Sequence, residues 1–255
     1  MNSESLTMKD VLVFVYGGAC FFYVLALLLH LWKSRKFERA SAAAGLVLNV
    51  MALGSVTLAS GHLPVFNLFE SLLFTAALIT VLYFFFTRAE QRLPDLALWI
   101  LIEILLVLGL ALLSPGMLAV SRYDFVDPLV VCFFLFRVGA LATILFSSAC
   151  FIQARTARAG SVGASDHYHL GRNFLLLGTV FFLASEYSGM VWCQNGWGDV
   201  WRWGGAHLLS VYVFLYLMLA FHIQEKKSGV GGIRSVVAGM SGVVLLALTV
   251  LRGLQ

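Results

Sequence analysis

Six histidines, a cluster of tryptophans and one deeply placed arginine are the residues of this chain that could carry chemistry. Imidazole binds iron or a proton, indole offers a flat apolar face, and guanidinium grips carboxylates. Four of the six tryptophans, Trp192, Trp197, Trp201 and Trp203, fall within twelve residues, among glycines and beside Arg202. Membrane-interface tryptophans are usually scattered over helix ends. A dense set suggests a platform for a planar aromatic ligand, each stacked ring pair contributing roughly 0.5–1.5 kcal/mol. The bland alternative, an aromatic belt, stays open at this point. The four cysteines, Cys20, Cys132, Cys150 and Cys193, form no Cys-x-x-Cys, so disulfide exchange and c-type haem attachment to this chain lack their residues. No phosphate loop, Ser-His-Asp set or His-Glu-x-x-His motif supports a hydrolase or a nucleotide-driven pump.

The elements that position these residues follow from composition. Of 255 residues, 60% are hydrophobic and 12% charged, against roughly 25% charged in an ordinary soluble domain. The net charge of +4 is too small and dispersed for a nucleic-acid footprint. A bilayer needs about 20 apolar residues per helix, and eight such runs are legible: Val11–Trp32, Ala40–Ser60, Asn67–Phe86, Leu96–Leu113, Pro128–Ile152, Asn173–Trp192, His207–Ile223 and Ser235–Leu251. They predict an all-α, polytopic integral membrane bundle in a single membrane domain, residues 1–255. A barrel would alternate polar and apolar residues, and the first run is too long for a signal-peptide core.

Basic residues orient the bundle. Twelve lie in alternate connections: Lys33, Lys36, Arg35 and Arg39, then Arg88 and Arg92, then Arg155, Arg158 and Arg172, then Lys226, Lys227 and Arg234. The opposite side holds Lys9, Arg122, Arg202 and Arg252. Both termini and the tryptophan segment, 192–206, are therefore expected outside the cytoplasm. The connection Gln153–Arg172 reads as a flexible, small-residue loop.

His30 and His222 are then expected at similar depth near the inner face, the minimum geometry for a bis-histidine iron site. His207 opens the seventh helix about 22 Å from His222 at 1.5 Å per residue, so one iron cannot take both. It could serve an outer site instead. His167 and His169 form a His-x-His in the polar connection. Arg137 lies inside the fifth run, where ionisable residues are costly and usually paired. Its candidate partners are Glu70, Glu103 and Glu186, and an Arg–Glu pair bracing helices is preferred over ligand binding. Arg202 is the better anion ligand because it shares the tryptophans' segment.

The order Ser-Gly-x-Val-Trp192, followed by Trp197-Gly-x-x-Trp201-x-Trp203, resembles the WWD motif of the cytochrome c assembly family, the haem-handling membrane proteins of the CcsA/CcmC/CcmF type. Ser60-Gly61-His62-Leu63-Pro64-Val65-Phe66-Asn67-Leu68-Phe69-Glu70-Ser71 resembles that family's Gly-His-x-Pro-x-x-Asn-Leu-Tyr-Glu-Ser segment. His222 falls where the family's next helix ends in histidine. The resemblance implies haem b, carried across or presented at the membrane for attachment to apocytochrome c. It implies Trp192, Trp197, Trp201 and Trp203 around the ring and His222 as the matched ligand candidate. Arg202 for a propionate, and His30 and His207 as further candidate ligands, with His222 and His30 on the iron, follow from their expected positions. Other cytochrome c assembly membrane proteins are the implied partners, beside the bilayer itself. The implied location is a bacterial inner membrane or its organelle equivalent, with at most a share in a haem lyase system. The chain departs from the pattern where Gly204 and Gly205 replace the motif's Asp-Pro. No histidine stands near Val131 and Cys132, and the second outward histidine is expected to be missing after the last helix. These departures leave an alternative: a non-catalytic subunit or HemX-like regulator that keeps the fold without ligation.

Overall fold

The computed structural model describes residues 3–88, 96–118, 127–157, 162–198, 205–223 and 232–253. They form eight helices: α1 (Ser3–Leu31), α2 (Arg35–Ser60), α3 (Leu68–Arg88), α4 (Leu96–Ala111), α5 (Pro128–Thr156), α6 (Val162–Trp197), α7 (Gly205–His222) and α8 (Ile233–Gly253). Six are long and apolar enough to cross a membrane, which makes the chain a polytopic helical membrane bundle. With 16 and 18 residues, α4 and α7 rise about 24 and 27 Å, short of the ~30 Å hydrocarbon core. The eight expected runs thus correspond to eight helices, two of them short.

α5 is the central element. It packs most extensively on α6, then on α8, α3 and α4, and its residues from Ala140 to Phe151 are buried on every side. Small residues allow this close approach, the usual device of helices that cannot rely on a hydrophobic driving force in lipid. A Cβ built on Gly178 of α6 would lie 2.4 Å from Ile144 Cγ1 of α5. Gly242 of α8 meets α5 in the same way, and its N–H donates to Ser148 Oγ at 3.0 Å. α1 and α2 form a hairpin against α4 and α3 respectively, whereas α7 rests mainly on α8 with a lighter contact to α6.

Two expected connections are helical instead. The expected loop Gln153–Arg172 shrinks to a few residues, because α5 continues to Thr156 and α6 begins at Val162. Small residues there extend the α5–α6 pair: Ser147 Oγ donates to the Gly171 carbonyl at 2.7 Å, and Phe151 meets Tyr168 edge to face. The tryptophan segment, expected as a loop from residue 192, is α6 as far as Trp197. The helix then stops at Gly198, whose φ of 71° and N–H bond to the Gln194 carbonyl form a left-handed terminus. Trp201, Arg202 and Trp203 lie outside the described residues.

Candidate functional site

The segment 61–71 is built to begin α3 at a defined point. Gly61 ends α2 in the left-handed conformation, φ 72°, with its N–H on the Thr57 carbonyl. Asn67 Oδ1 then accepts from the Glu70 N–H at 2.7 Å, while Glu70 Oε2 accepts from the Phe66 N–H at 3.0 Å. This reciprocal arrangement is a capping box shifted by one residue. Ser71 Oγ closes the turn on the Val65 carbonyl at 2.7 Å. Glu70 is fully buried and is consumed by this cap. It is not the partner of Arg137.

Anchored in this way, Phe66, Asn67, Leu68 and Ser71 face a cavity of about 910 Å³, near the top of the roughly 300–1,000 Å³ typical of ligand pockets. The cavity lies where α3, α5 and α7 begin and α6 and α8 end. Phe133, Phe134, Val138, Leu141, Val213 and Leu245 give it apolar walls. Phe66 meets Phe134 edge to face, with ring centroids 5.2 Å apart, and His62 stacks edge-on behind Phe66 at 5.1 Å. Gly189 lets the Phe133 ring approach to where a Cβ would sit 2.9 Å from it. Half-buried Trp192, on the last turns of α6, and half-buried His207, on the first turn of α7, line the same space. Cys193 also reaches it.

A polar knot interrupts the apolar lining. Arg137 of α5 pairs with Glu186 of α6 at 2.7 Å, and its guanidinium lies 4.9 Å from the Phe182 ring centroid and 5.3 Å from that of Phe133. Its Nη2 also donates to Ser210 Oγ of α7 at 3.3 Å, and Arg252 Nη2 of α8 donates to the same oxygen at 3.0 Å. Aromatic faces and hydrogen bonds are what make a charged group tolerable at this depth. Among Glu70, Glu103 and Glu186, the partner of Arg137 is Glu186.

The remaining candidates sit apart from this cavity. His30 ends α1 and lies 3.1 Å from Glu38 Oε2, while Glu38 Oε1 accepts from Tyr83 at 2.8 Å. His222 ends α7, is exposed, and its Nδ1 contacts the carbonyl of Met218 one turn back at 2.7 Å. α1 packs with α2 and α4, α7 with α8 and α6, so the helices bearing His30 and His222 have different neighbours and the two rings have separate partners. His167 is buried on α6 and His169 exposed. On a helix, residues two apart face different directions, so the pair is not a chelating His-x-His. No group of three metal-ligating side chains occurs among the described residues. Sequence reasoning passed over Ser210, Arg252 and Cys193 as site residues. Arg252 was visible only as an outward charge, and Ser210 carried no signal at all.

A planar, largely apolar molecule with anionic substituents matches this donor set: aromatic walls, an indole, one imidazole and two guanidinium groups. No family model matches the chain. It is 24% identical over 258 residues to the cytochrome c biogenesis protein CcsA of Prochlorococcus marinus (strain MIT 9215), covering 84% of this chain and 82% of that one. CcsA of strain MIT 9312 is 24% identical over 273 residues, 90% and 87% of the two chains. The chain is a divergent relative of the CcsA proteins. CcsA of Chlamydomonas reinhardtii matches at 24% over 200 residues, 73% of this chain, which spans just over half, 57%, of that algal relative. The two segments that suggested a CcsA-type chain in the sequence, 60–71 and the tryptophan segment, both contribute to the cavity's wall through Phe66, Asn67, Leu68, Ser71 and Trp192.

Proposed function

We propose that this CcsA-related protein serves cytochrome c biogenesis by holding haem b in the cavity at the outer end of the bundle and presenting it for delivery to apocytochrome c. The observation that carries this reading is the meeting of Trp192, His207 and the 66–71 segment around one apolar space of about 910 Å³. Haem is the cargo. Its ring would lie against Trp192 and the phenylalanine walls, its iron within reach of the His207 imidazole, and its propionates toward guanidinium groups. Trp197, Trp201 and Trp203 are further candidate ring contacts, carried over from the motif resemblance alone, and Arg202, in the same segment, is a candidate propionate partner. His222 and His30 are inner-face candidates for iron, each acting at its own helix end. The protein would work in a bacterial inner membrane or the equivalent organelle membrane, with other cytochrome c assembly membrane proteins as partners.

The test is an absorption spectrum of the detergent-purified chain from haem-replete cells, followed by haem titration. Wild type should carry haem bands. His207→Ala should weaken haem binding roughly tenfold, about 1.4 kcal/mol, and change the axial-ligand signature, while His222→Ala leaves the outer site intact. A haem-free protein that binds none on titration overturns the proposal and favours a non-ligating subunit.

A further inference from the structure

We infer that the outer cavity is filled from the lipid, through the seam between α7 and α8, with Leu248 as the side chain that a planar lipophilic ligand displaces on entry. The inference rests on the proposed use of that cavity and names the phase from which its ligand comes.

A second apolar space, of about 560 Å³, lies on this seam between Tyr212, Leu215 and Leu219 of α7 and Val244 and Ala247 of α8. Its α7 side is exposed, Tyr212 at 63% and Leu215 at 55%, and on a helix of a membrane bundle such a face meets lipid tails. The outer cavity lies behind the same seam, with Val213 of α7 and Leu245 of α8 in its wall. Among the described residues, half-buried Leu248 alone lines both spaces. Two polar clamps hold the helices on either side of it. Toward the outer end Arg252 Nη2 donates to Ser210 Oγ at 3.0 Å, and deeper in the bundle the Tyr216 hydroxyl donates to the Val237 carbonyl at 2.7 Å. Ser210 and Tyr216 stand about 9 Å apart along α7 at 1.5 Å per residue. Between the clamps, Ala247 contributes only a methyl group, and a rotamer change of Leu248 opens the partition while the helices stay in place. A ring entering edge-on passes Leu248, then Val213 and Leu245, and reaches the phenylalanine walls along an apolar path. A large apolar ring resides in the bilayer rather than in water, each Å² of buried apolar surface being worth about 25 cal/mol. The membrane is therefore where the cavity's ligand is most concentrated.

A route and a wall differ in kinetics. A residue of the wall changes affinity, whereas a residue on the route changes entry and exit together and leaves their ratio alone. The probe is metal-free protoporphyrin IX dimethyl ester, held with the full chain in the same phosphatidylcholine vesicles. Titration followed by quenching of tryptophan fluorescence gives the affinity, and relaxation of the quenching after a temperature jump gives both rates. Ala247→Phe fills the groove from the lipid side, and because Ala247 is exposed the larger ring meets lipid rather than core. It should slow entry and exit alike by roughly tenfold, with the dissociation constant within about twofold of wild type. Leu248→Ala, which removes the partition, should speed both rates several-fold. Wild-type rates in both variants overturn the route and leave the cavity a porphyrin site filled from its mouth. A change of affinity at an unaltered entry rate assigns these residues to the wall and overturns the route as well. Failure of the probe to bind wild type overturns the cavity's proposed use, and the route with it.

Discussion

At the scale of single residues, the same chemical type does different work according to what surrounds it. Glu38, Glu70 and Glu186 are all acidic groups within a hydrophobic chain. The Glu70 carboxylate accepts the Phe66 N–H at a helix start, where its own N–H donates to Asn67 Oδ1, whereas Glu186 pairs with Arg137, and Glu38 with His30 and Tyr83. Each leaves a distinct mark when mutated. Glu70→Ala should cost about 0.5–2 kcal/mol through the lost cap, read as a lower Tm in detergent, with the cavity mouth loosened because Phe66 and Leu68 lose their anchor. An unchanged Tm and unchanged porphyrin binding would show that the cap holds nothing. Tyr83→Phe removes a donor from the buried Glu38 carboxylate and should destabilise by about 1–3 kcal/mol. It should not affect haem bound in the outer cavity, since Tyr83 lies far along α3 from that site. Loss of that haem from a well-folded Tyr83→Phe protein would link the two ends of the molecule and contradict that separation.

At the scale of elements, helix ends and small residues decide what can meet. α6 runs 36 residues because nothing before Gly198 stops it, and the turn at Gly198 needs a positive φ that an L side chain adopts only with strain. Gly198→Val should cost on the order of 1–2 kcal/mol and alter the start of the tryptophan segment, measured as reduced haem retention alongside a modest fall in Tm. Inside the bundle, Gly178→Val would drive a side chain into Ile144, where even a Cβ lies at 2.4 Å. The α5–α6 pair would have to separate, with an expected cost of about 1–3 kcal/mol. Thermal unfolding in detergent reads it directly, and wild-type stability in this variant would mean that the two helices do not pack as described.

At the scale of the whole molecule, the functional proposal depends on sidedness. The helix ends that frame the cavity belong to the side with few basic residues, so the cavity should open away from the cytoplasm. Cysteine introduced at Ser114 should react with a membrane-impermeant maleimide from outside intact cells, whereas cysteine at Lys36 should react only after permeabilisation. The reverse pattern would invert the bundle and place the cavity on the wrong side for delivery to apocytochrome c. The hydrophobic runs and the charges between them already determined the number of helices and which ends share a side, because lipid demands a satisfied backbone over a fixed length and that demand is written locally. The CcsA-like segments likewise picked out residues 60–71 and the Trp192 stretch, but not that the two meet. Local sequence could not say that the Trp192–Trp197 stretch stays helical, that Arg137 chooses Glu186 over Glu70, or that Ser210 and Arg252 join it. Those outcomes depend on how α5, α6, α7 and α8 are rotated and how closely they approach. That is settled by packing among residues far apart in the chain, where glycines admit a neighbour and a buried charge accepts whichever partner the assembled helices bring within reach.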